Sequence, residues 1–247
     1  MVELSVNVNK IATLRNARGG ERPSVVAFAQ AAIDAGAYGI TVHPRPDERH
    51  IRARDVFDLV PVVRQAGVEL NIEGYPDRRY VEIIREARPD QATLVPDPPD
   101  VLTSNAGWDA AGQRKFLGEI IAELQSFGAR VSLFMETALE PLEAARDAGA
   151  DRVELYTGPY AEACAAGRGD ESYALYEAAA RRATELGLGL NAGHDLDLEN
   201  LPRFRHLPGL QEVSIGHALT CDALEMGWDR AVRSYLAVLA GEPLPKS

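Results

Sequence analysis

Four of the chain's five histidines, His43, His50, His194 and His217, stand at or just past the ends of segments that read as β-strands. GITVHP (39–44), GLNAGH (189–194) and VSIGHAL (213–219) each carry one, and His50 follows a few residues after the first. ELNIEG (69–74) brings Glu73 to the same position in its own strand. An imidazole with its ordinary pKa of about 6.5 gives and takes protons at neutral pH. A carboxylate in an otherwise apolar strand is pushed toward the same range by partial burial. If these strands lie parallel in one barrel, their ends meet on one rim, and His43, Glu73 and His194 form an acid–base site there. Glu154, in RVELYTG, alternates toward the interior or rim, where a charge must be paired or functional.

Other residue types add a taste for anions. Arg15 and Arg18 lie in IATLRNARGG just after the first strand, and Arg45 follows His43. Arginines beside an acid–base rim suit a phosphate or carboxylate. Arg49, Arg52 and Arg54 read as solvated surface charges. Gly193 and Gly216 sit in the turns after the last two strands, the pair that commonly cradles phosphate in a barrel. The histidines are scattered singly, without i, i+4 or HxH spacing, so no metal site is expected.

To gather these groups the chain must alternate strands and helices, and it does so from end to end. Strands read as 3–8, 39–43, 69–73, 92–95, 130–135, 152–156, 188–192 and 212–216. Helical patterns lie near 24–35, 54–65, 78–87, 110–127, 138–147, 171–186, 197–205 and 222–239, several closing on glycine (Gly36, Gly39, Gly67, Gly128, Gly149, Gly187). Eight βα units in 247 residues favour a single-domain (β/α)8 TIM barrel spanning residues 1–247. No GxGxxG follows the first strand, so a dinucleotide-binding sheet has no support. Two long segments, 96–109 and 157–170, read as loops on the active-site side of the barrel. The GEPLPKS tail reads as a frayed terminus.

Bulk composition narrows the function classes. The chain has 26 Lys and Arg against 37 Asp and Glu, a net charge of −11, which argues against nonspecific nucleic-acid binding. Only two cysteines occur, Cys164 and Cys221, in segments read as loop or helix start, which is no disulfide framework. No apolar run approaches the length of a membrane span and the N-terminus has no export signal, so a cytoplasmic setting is expected.

IATLRNARGG (11–20), GITVHPR with RHI (39–51), LNIE (70–73), LVP (94–96), AGQR (111–114), VSLF (131–134), NAGHDL (191–196) and IGHA (215–218) together resemble the pyridoxine 5'-phosphate synthase family. The resemblance runs in order from about residue 3 to residue 235. It implies a phosphate-binding TIM barrel, assembled as a homo-octamer, that condenses 1-deoxy-D-xylulose 5-phosphate with 3-amino-2-oxopropyl phosphate. The products are pyridoxine 5'-phosphate, phosphate and water, and no metal or organic cofactor is used. By the same resemblance His43 and Glu73 match the general bases, His194 the general acid and Glu154 a group supporting the transition state. Asn7, Arg18, Arg45, His50, Ser104, Gly216 and His217 match substrate-contacting positions.

The departures from the family pattern cluster. After strand 1 the pattern N-x-D-H-I-A-T becomes Asn7-Val8-Asn9-Lys10-Ile11-Ala12-Thr13, so an Asp-His pair that contacts the sugar phosphate is Asn9-Lys10. Ser104 replaces threonine, Asp195 replaces the glycine after the general-acid histidine, NIEGY replaces N-L-E-M-A, and PDPPD is unusual after strand 4. Asn9, Lys10 and Asp195 therefore join the substrate-binding candidates. Either Lys10 holds the sugar phosphate in place of the lost pair, or the chain is a diverged relative acting on another phosphorylated carbonyl compound. In the second case a desolvated Lys10 could form a Schiff base. A phosphometabolite-binding barrel without catalysis is the remaining alternative.

Overall fold

The computed structural model describes residues 1–96 and 106–245, and all eight expected strands are present. They are β1 (Glu3–Asn7), β2 (Gly39–Val42), β3 (Glu69–Gly74), β4 (Gln91–Leu94), β5 (Arg130–Met135), β6 (Arg152–Tyr156), β7 (Gly189–Gly193) and β8 (Leu210–Ile215). Each pairs in parallel with its neighbours in sequence, and β1 pairs with β8 to close the barrel.

Alternation within the strands decides what faces where. Leu4 and Val6, Ile40 and Val42, Leu70 and Ile72, Val131 and Leu133, Val153 and Leu155, Val213 and Ile215 are all buried in the apolar core. They pack outward against the helices, where each such side chain contributes roughly 1.5–3 kcal/mol. The residues between them point into the barrel, and they are polar: Ser5, Thr41, Asn71, Thr93, Ser132, Glu154, Asn191 and Ser214, every one of them buried. A barrel of this type usually fills its lumen with Val, Ile and Leu. Here a hydrogen-bonded chain crosses it instead, from Ser5 to Thr41 (2.6 Å), from Asn71 to Thr41 (3.3 Å) and from Thr93 to Asn71 (2.9 Å).

The helical layer is richer than the sequence pattern predicts. The helices are α1 (Asn9–Asn16), α2 (Val25–Ala35), α3 (Ala53–Ala66), α4 (Arg78–Ala87), α5 (Arg114–Ser126), α6 (Leu139–Asp147), α7 (Gly158–Ala165), α8 (Gly169–Glu185), α9 (Leu201–Phe204), α10 (His217–Met226) and α11 (Trp228–Ala240). α7 stands on the rim where a loop is expected, α1 where no element is expected, and α10 extends the last helical pattern back to His217. α1 follows β1 directly; α7 occupies most of the segment 157–170, which is therefore not a long loop; and the pattern at 222–239 is two helices, α10 and α11, broken at Gly227. The Gly158-Pro159 pair reads as a turn but opens α7, because proline fits the first helical turn, where its missing N–H has no partner to lose. Cys164 and Cys221 accordingly lie inside α7 and α10. Gly36 and Gly67 close α2 and α3 as expected, whereas Gly39 is the first residue of β2. Residues 97–105, and with them most of the segment 96–109 and Ser104, lie outside the described residues. Among the described residues no helix is long and apolar enough to cross a membrane.

Candidate active site

At the C-terminal ends of the strands lies a cavity of about 540 Å³. Its lining includes Asn7, Asn9, Lys10, His43, Arg45, His50, Glu73, Glu154, His194, Asp195, Gly216 and His217, all candidates from the sequence; Arg15 and Gly193 do not line it, and Ser104 lies outside the described residues. Arg18 is exposed in the turn after α1 and does not line the cavity. A second groove, of about 560 Å³, lies outside the barrel between α7, α8 and residues 197–203, and none of the rim histidines reaches it. The chemistry therefore belongs to the first cavity.

His43 is the first residue past β2 and is buried, and its backbone N–H donates to Asn9 Oδ1 at 2.9 Å. Asn9 N in turn donates to Asn7 Oδ1 (3.0 Å), and Asn7 Nδ2 donates to Glu73 Oε2 (3.4 Å). These two asparagines thus tie the backbone of His43 to the carboxylate of Glu73. The substitution of asparagine for aspartate at position 9 keeps the acceptor oxygen that His43 uses and gives up only the charge.

Burial, followed by the nearby His50 ring and the Arg45 and Arg49 guanidinium groups, lowers the pKa of His43 to about 3. The ring is neutral at physiological pH and its Nδ1, 3.8 Å from Glu73 Oε2, makes a polar contact rather than an ion pair. His50 is lowered to about 4, chiefly by burial and then by Arg45 and Lys10. Its Nδ1 accepts the Ile51 N–H (2.9 Å), so the neutral ring carries its proton on Nε2 and serves as a hydrogen-bond donor. The two rings meet edge to face at 5.9 Å.

Glu154 rises from β6 into the lumen and is buried. Burial, with the carboxylates of Glu73 and Glu212 nearby, raises its pKa well above the ordinary value and favours the neutral acid. A Cβ at Gly193, on the neighbouring strand β7, would collide with the Glu154 carboxyl, so any larger residue there would displace that carboxyl from its present place. Gly216 is similarly constrained, since a Cβ there would stand 3.0 Å from both Cβ and O of Asn7. Gly216 also precedes α10, and Gly216, His217 and Ala218 at the start of that helix line the cavity. Such a helix start attracts phosphate.

Several expectations change. Arg15 is buried, with both guanidinium nitrogens on Asp55 (2.5 and 2.9 Å) and a further bond to His50 O (3.2 Å). It locks the β2–α3 loop to α1 and does not line the cavity. Arg49, read as a solvated charge, lines the cavity and pairs with Asp47 at 2.5 Å. Arg52 donates to Asn16 Oδ1 (2.9 Å), and only Arg54, paired with Asp58, is a surface charge of the expected kind. Lys10 is exposed at the mouth, not desolvated as a Schiff-base amine requires. Ser214 was overlooked: it lines the cavity, is buried, and its Oγ has no protein partner among the described residues. The signal was available, because Glu212, Ser214 and Gly216 occupy alternate positions of one strand.

Comparison with known proteins fits this geometry. Residues 4–241 match the family model described as "Pyridoxal phosphate biosynthesis protein PdxJ". The chain is 53% identical over 243 residues to the pyridoxine 5'-phosphate synthase of Porphyromonas gingivalis, covering 97% of this chain and 100% of that one. It is 51% identical over 236 residues to that of Bacteroides thetaiotaomicron, covering 95% and 98%. It is 52% identical over 245 residues to that of Xanthomonas axonopodis pv. citri, covering 96% of each. Among solved structures, the thiamine phosphate pyrophosphorylase of Pyrococcus furiosus superposes with a TM-score of 0.61 at 13% identity, covering 97% of this chain and 96% of that one. At that identity the likeness is one of fold alone.

Proposed function

The chain belongs to the PdxJ family of pyridoxal phosphate biosynthesis proteins, and from that premise we propose that it forms pyridoxine 5'-phosphate from 1-deoxy-D-xylulose 5-phosphate and 3-amino-2-oxopropyl phosphate. The observation that carries this reading is the convergence of His43, Glu73, Glu154 and His194 in one cavity. The condensation needs Schiff-base formation, proton transfers, loss of phosphate and water, and an aldol-type ring closure. That sequence calls for bases and an acid within reach of one another.

In this reading His43 and Glu73 remove protons and His194 returns them. His43 enters the reaction neutral, as a base must, and its low ligand-free basicity rises when two phosphorylated substrates bring negative charge beside it. Glu154, neutral and buried, donates a hydrogen bond to oxygen that gains charge in the transition state. Asn7 and Asn9 hold the two bases in register. Arg45, His50, Lys10, Gly216, His217 and the start of α10 receive the phosphates and carbonyl oxygens. Arg18 and Ser104 complete the set by family resemblance. The reaction so written uses no metal or organic cofactor. The whole chain, residues 1–247, acts as one domain in the cytoplasm, and as a homo-octamer. Leu14 on α1 and Leu224 on α10 are exposed, and an assembly would cover them.

The test is incubation of the purified protein with both phosphorylated substrates, with pyridoxine 5'-phosphate detected by absorbance and mass. Product is expected, and it should vanish in His43→Ala. A folded protein that yields none rejects the reading in favour of another phosphorylated carbonyl substrate. Light scattering reads the octamer separately.

A further inference from the structure

The turn after β7 contains an arrangement that neither the fold nor phosphate binding requires. His194 and Asp195 are consecutive, yet His194 Nδ1 and Asp195 Oδ2 lie 2.8 Å apart. Neighbouring side chains in a strand point to opposite faces and do not meet. They meet here because both residues leave the strand with positive φ, 80° at His194 and 25° at Asp195. That is backbone an L-residue adopts only at a cost.

The cost is held in place by side chains. Thr157 Oγ1, just past β6, shares its one proton between the carbonyl oxygens of Gly193 (2.5 Å) and His194 (2.6 Å). Asn200 Nδ2 donates to Asp195 O (3.1 Å), and the Leu196 N–H closes onto His194 O. The family pattern has glycine where this chain has Asp195, and glycine makes the same turn without strain. An aspartate kept against that penalty contributes through its carboxylate.

We propose that Asp195 is the positioning residue of His194, accepting the Nδ1 proton so that Nε2 is the nitrogen that exchanges a proton with substrate. This rests on His194 acting as the acid in the reaction above. It replaces the substrate-binding role that the sequence assigns to Asp195. The hydrogen bond from His194 holds the Asp195 carboxyl below the usual carboxylate range, so the acceptor is charged at neutral pH. The groups around the pair are His217 on α10, the Tyr156 ring standing edge-on to His194 at 5.3 Å, and the Glu154 carboxyl beneath Gly193. Tyr156 itself titrates high, through burial and then the Asp195 charge, and stays neutral. A fixed carboxylate on Nδ1 holds the ring in one tautomer and one orientation.

The experiment compares wild type, Asp195→Asn and Asp195→Gly by two readouts. Nitrogen NMR of the His194 ring in the free protein reports its tautomer; the split between kcat and KM of pyridoxine 5'-phosphate formation reports its part in turnover. In both variants the neutral ring should lose its preference for the Nδ1–H tautomer, and kcat should fall roughly tenfold with KM little changed. Asp195→Gly relieves the strained turn and serves if Asp195→Asn folds poorly. A His194 ring with the same tautomer in wild type and variants overturns the proposal, and so does a change confined to KM. A ring that changes tautomer in a protein forming no pyridoxine 5'-phosphate keeps the pair and rejects the synthase reading instead.

Discussion

The two ends of this barrel both bury ionisable groups, but they treat them in opposite ways. At the N-terminal end, Arg130 pairs with Glu69 (2.5 Å) and reaches Gln91 Oε1 (3.1 Å), while Arg152 bonds Gln91, Asn191 and Glu212 at 3.1–3.3 Å. Glu69 and Glu212 each have a guanidinium. At the C-terminal end His43 and His50 are kept neutral by burial beside cations, and Glu154 faces other carboxylates. One end spends its charges on closing strand to strand. The other holds groups away from their ordinary protonation states, which is how a folded chain stores acid–base capacity. The comparison makes separable claims about stability and turnover.

The largest effect should come from the C-terminal end. Removing a positioned base costs roughly 10²–10⁴-fold in rate. His43→Ala and Glu73→Gln should each lower kcat for pyridoxine 5'-phosphate formation by that range and leave the melting temperature nearly unchanged. If either variant loses stability in proportion to activity, the rim is structural and the contrast fails.

Arg152→Met probes the opposite end. It strands Glu212, which is almost wholly buried, and withdraws a donor from Gln91 and Asn191. Leaving a buried partner uncompensated costs about 3–5 kcal/mol. For a chain of this size the melting temperature should drop on the order of 10 °C. Turnover per folded molecule should hold near wild type, as measured by activity normalised to native fraction. A loss of kcat at full folding would show that the two ends communicate through the lumen.

How much of this was legible in the sequence depends on what each residue answers to. Strands were legible because Leu4, Val6, Ile40, Val42 and their counterparts alternate with polar residues, and burial on one side writes itself into composition. The rim histidines and Glu73 were legible because a titratable group at a strand end has one place to go in a barrel. The helices α1 and α7 were not, since their short apolar content carries little periodicity and a Gly-Pro pair reads as a turn. Arg15 was misjudged because a partner forty residues away, Asp55, decides whether a guanidinium is free. The pairing of His194 with Asp195 was illegible, since it depends on two backbone angles rather than on spacing.

A gentler perturbation follows from the approach of β8 to β1. In Gly216→Ala the new methyl group would press on Asn7 at 3.0 Å, and Asn7 bonds Glu73 and accepts the Asn9 N–H. A shift of a few tenths of an ångström in a base should cost roughly tenfold in kcat/KM with little change in melting temperature. Unchanged kinetics would mean that the asparagine link does not hold Glu73 in place.

The smallest effect is also the sharpest test of the contrast, because Glu212 at one end and His50 at the other should respond to pH with opposite signs. Glu212 titrates at about 7, raised chiefly by burial, so the folded chain keeps this proton when the unfolded chain has lost it. Its contribution to stability is complete below about pH 4.5 and is lost as pH rises through 7; Glu154, also raised, acts in the same direction. His43 and His50, lowered to about 3 and 4, do the reverse. Their contribution is complete above about pH 6.5 and is lost as pH falls toward those values. Thermal melts from pH 4.5 to 8 should therefore show Glu212→Gln gaining on wild type as pH rises and His50→Asn gaining as pH falls. Each trend is bounded by about 1.4 kcal/mol per pH unit, a few degrees in melting temperature. Parallel trends in the two variants would mean that both ends carry the same kind of buried charge, and the division between a paired end and a poised end would fall.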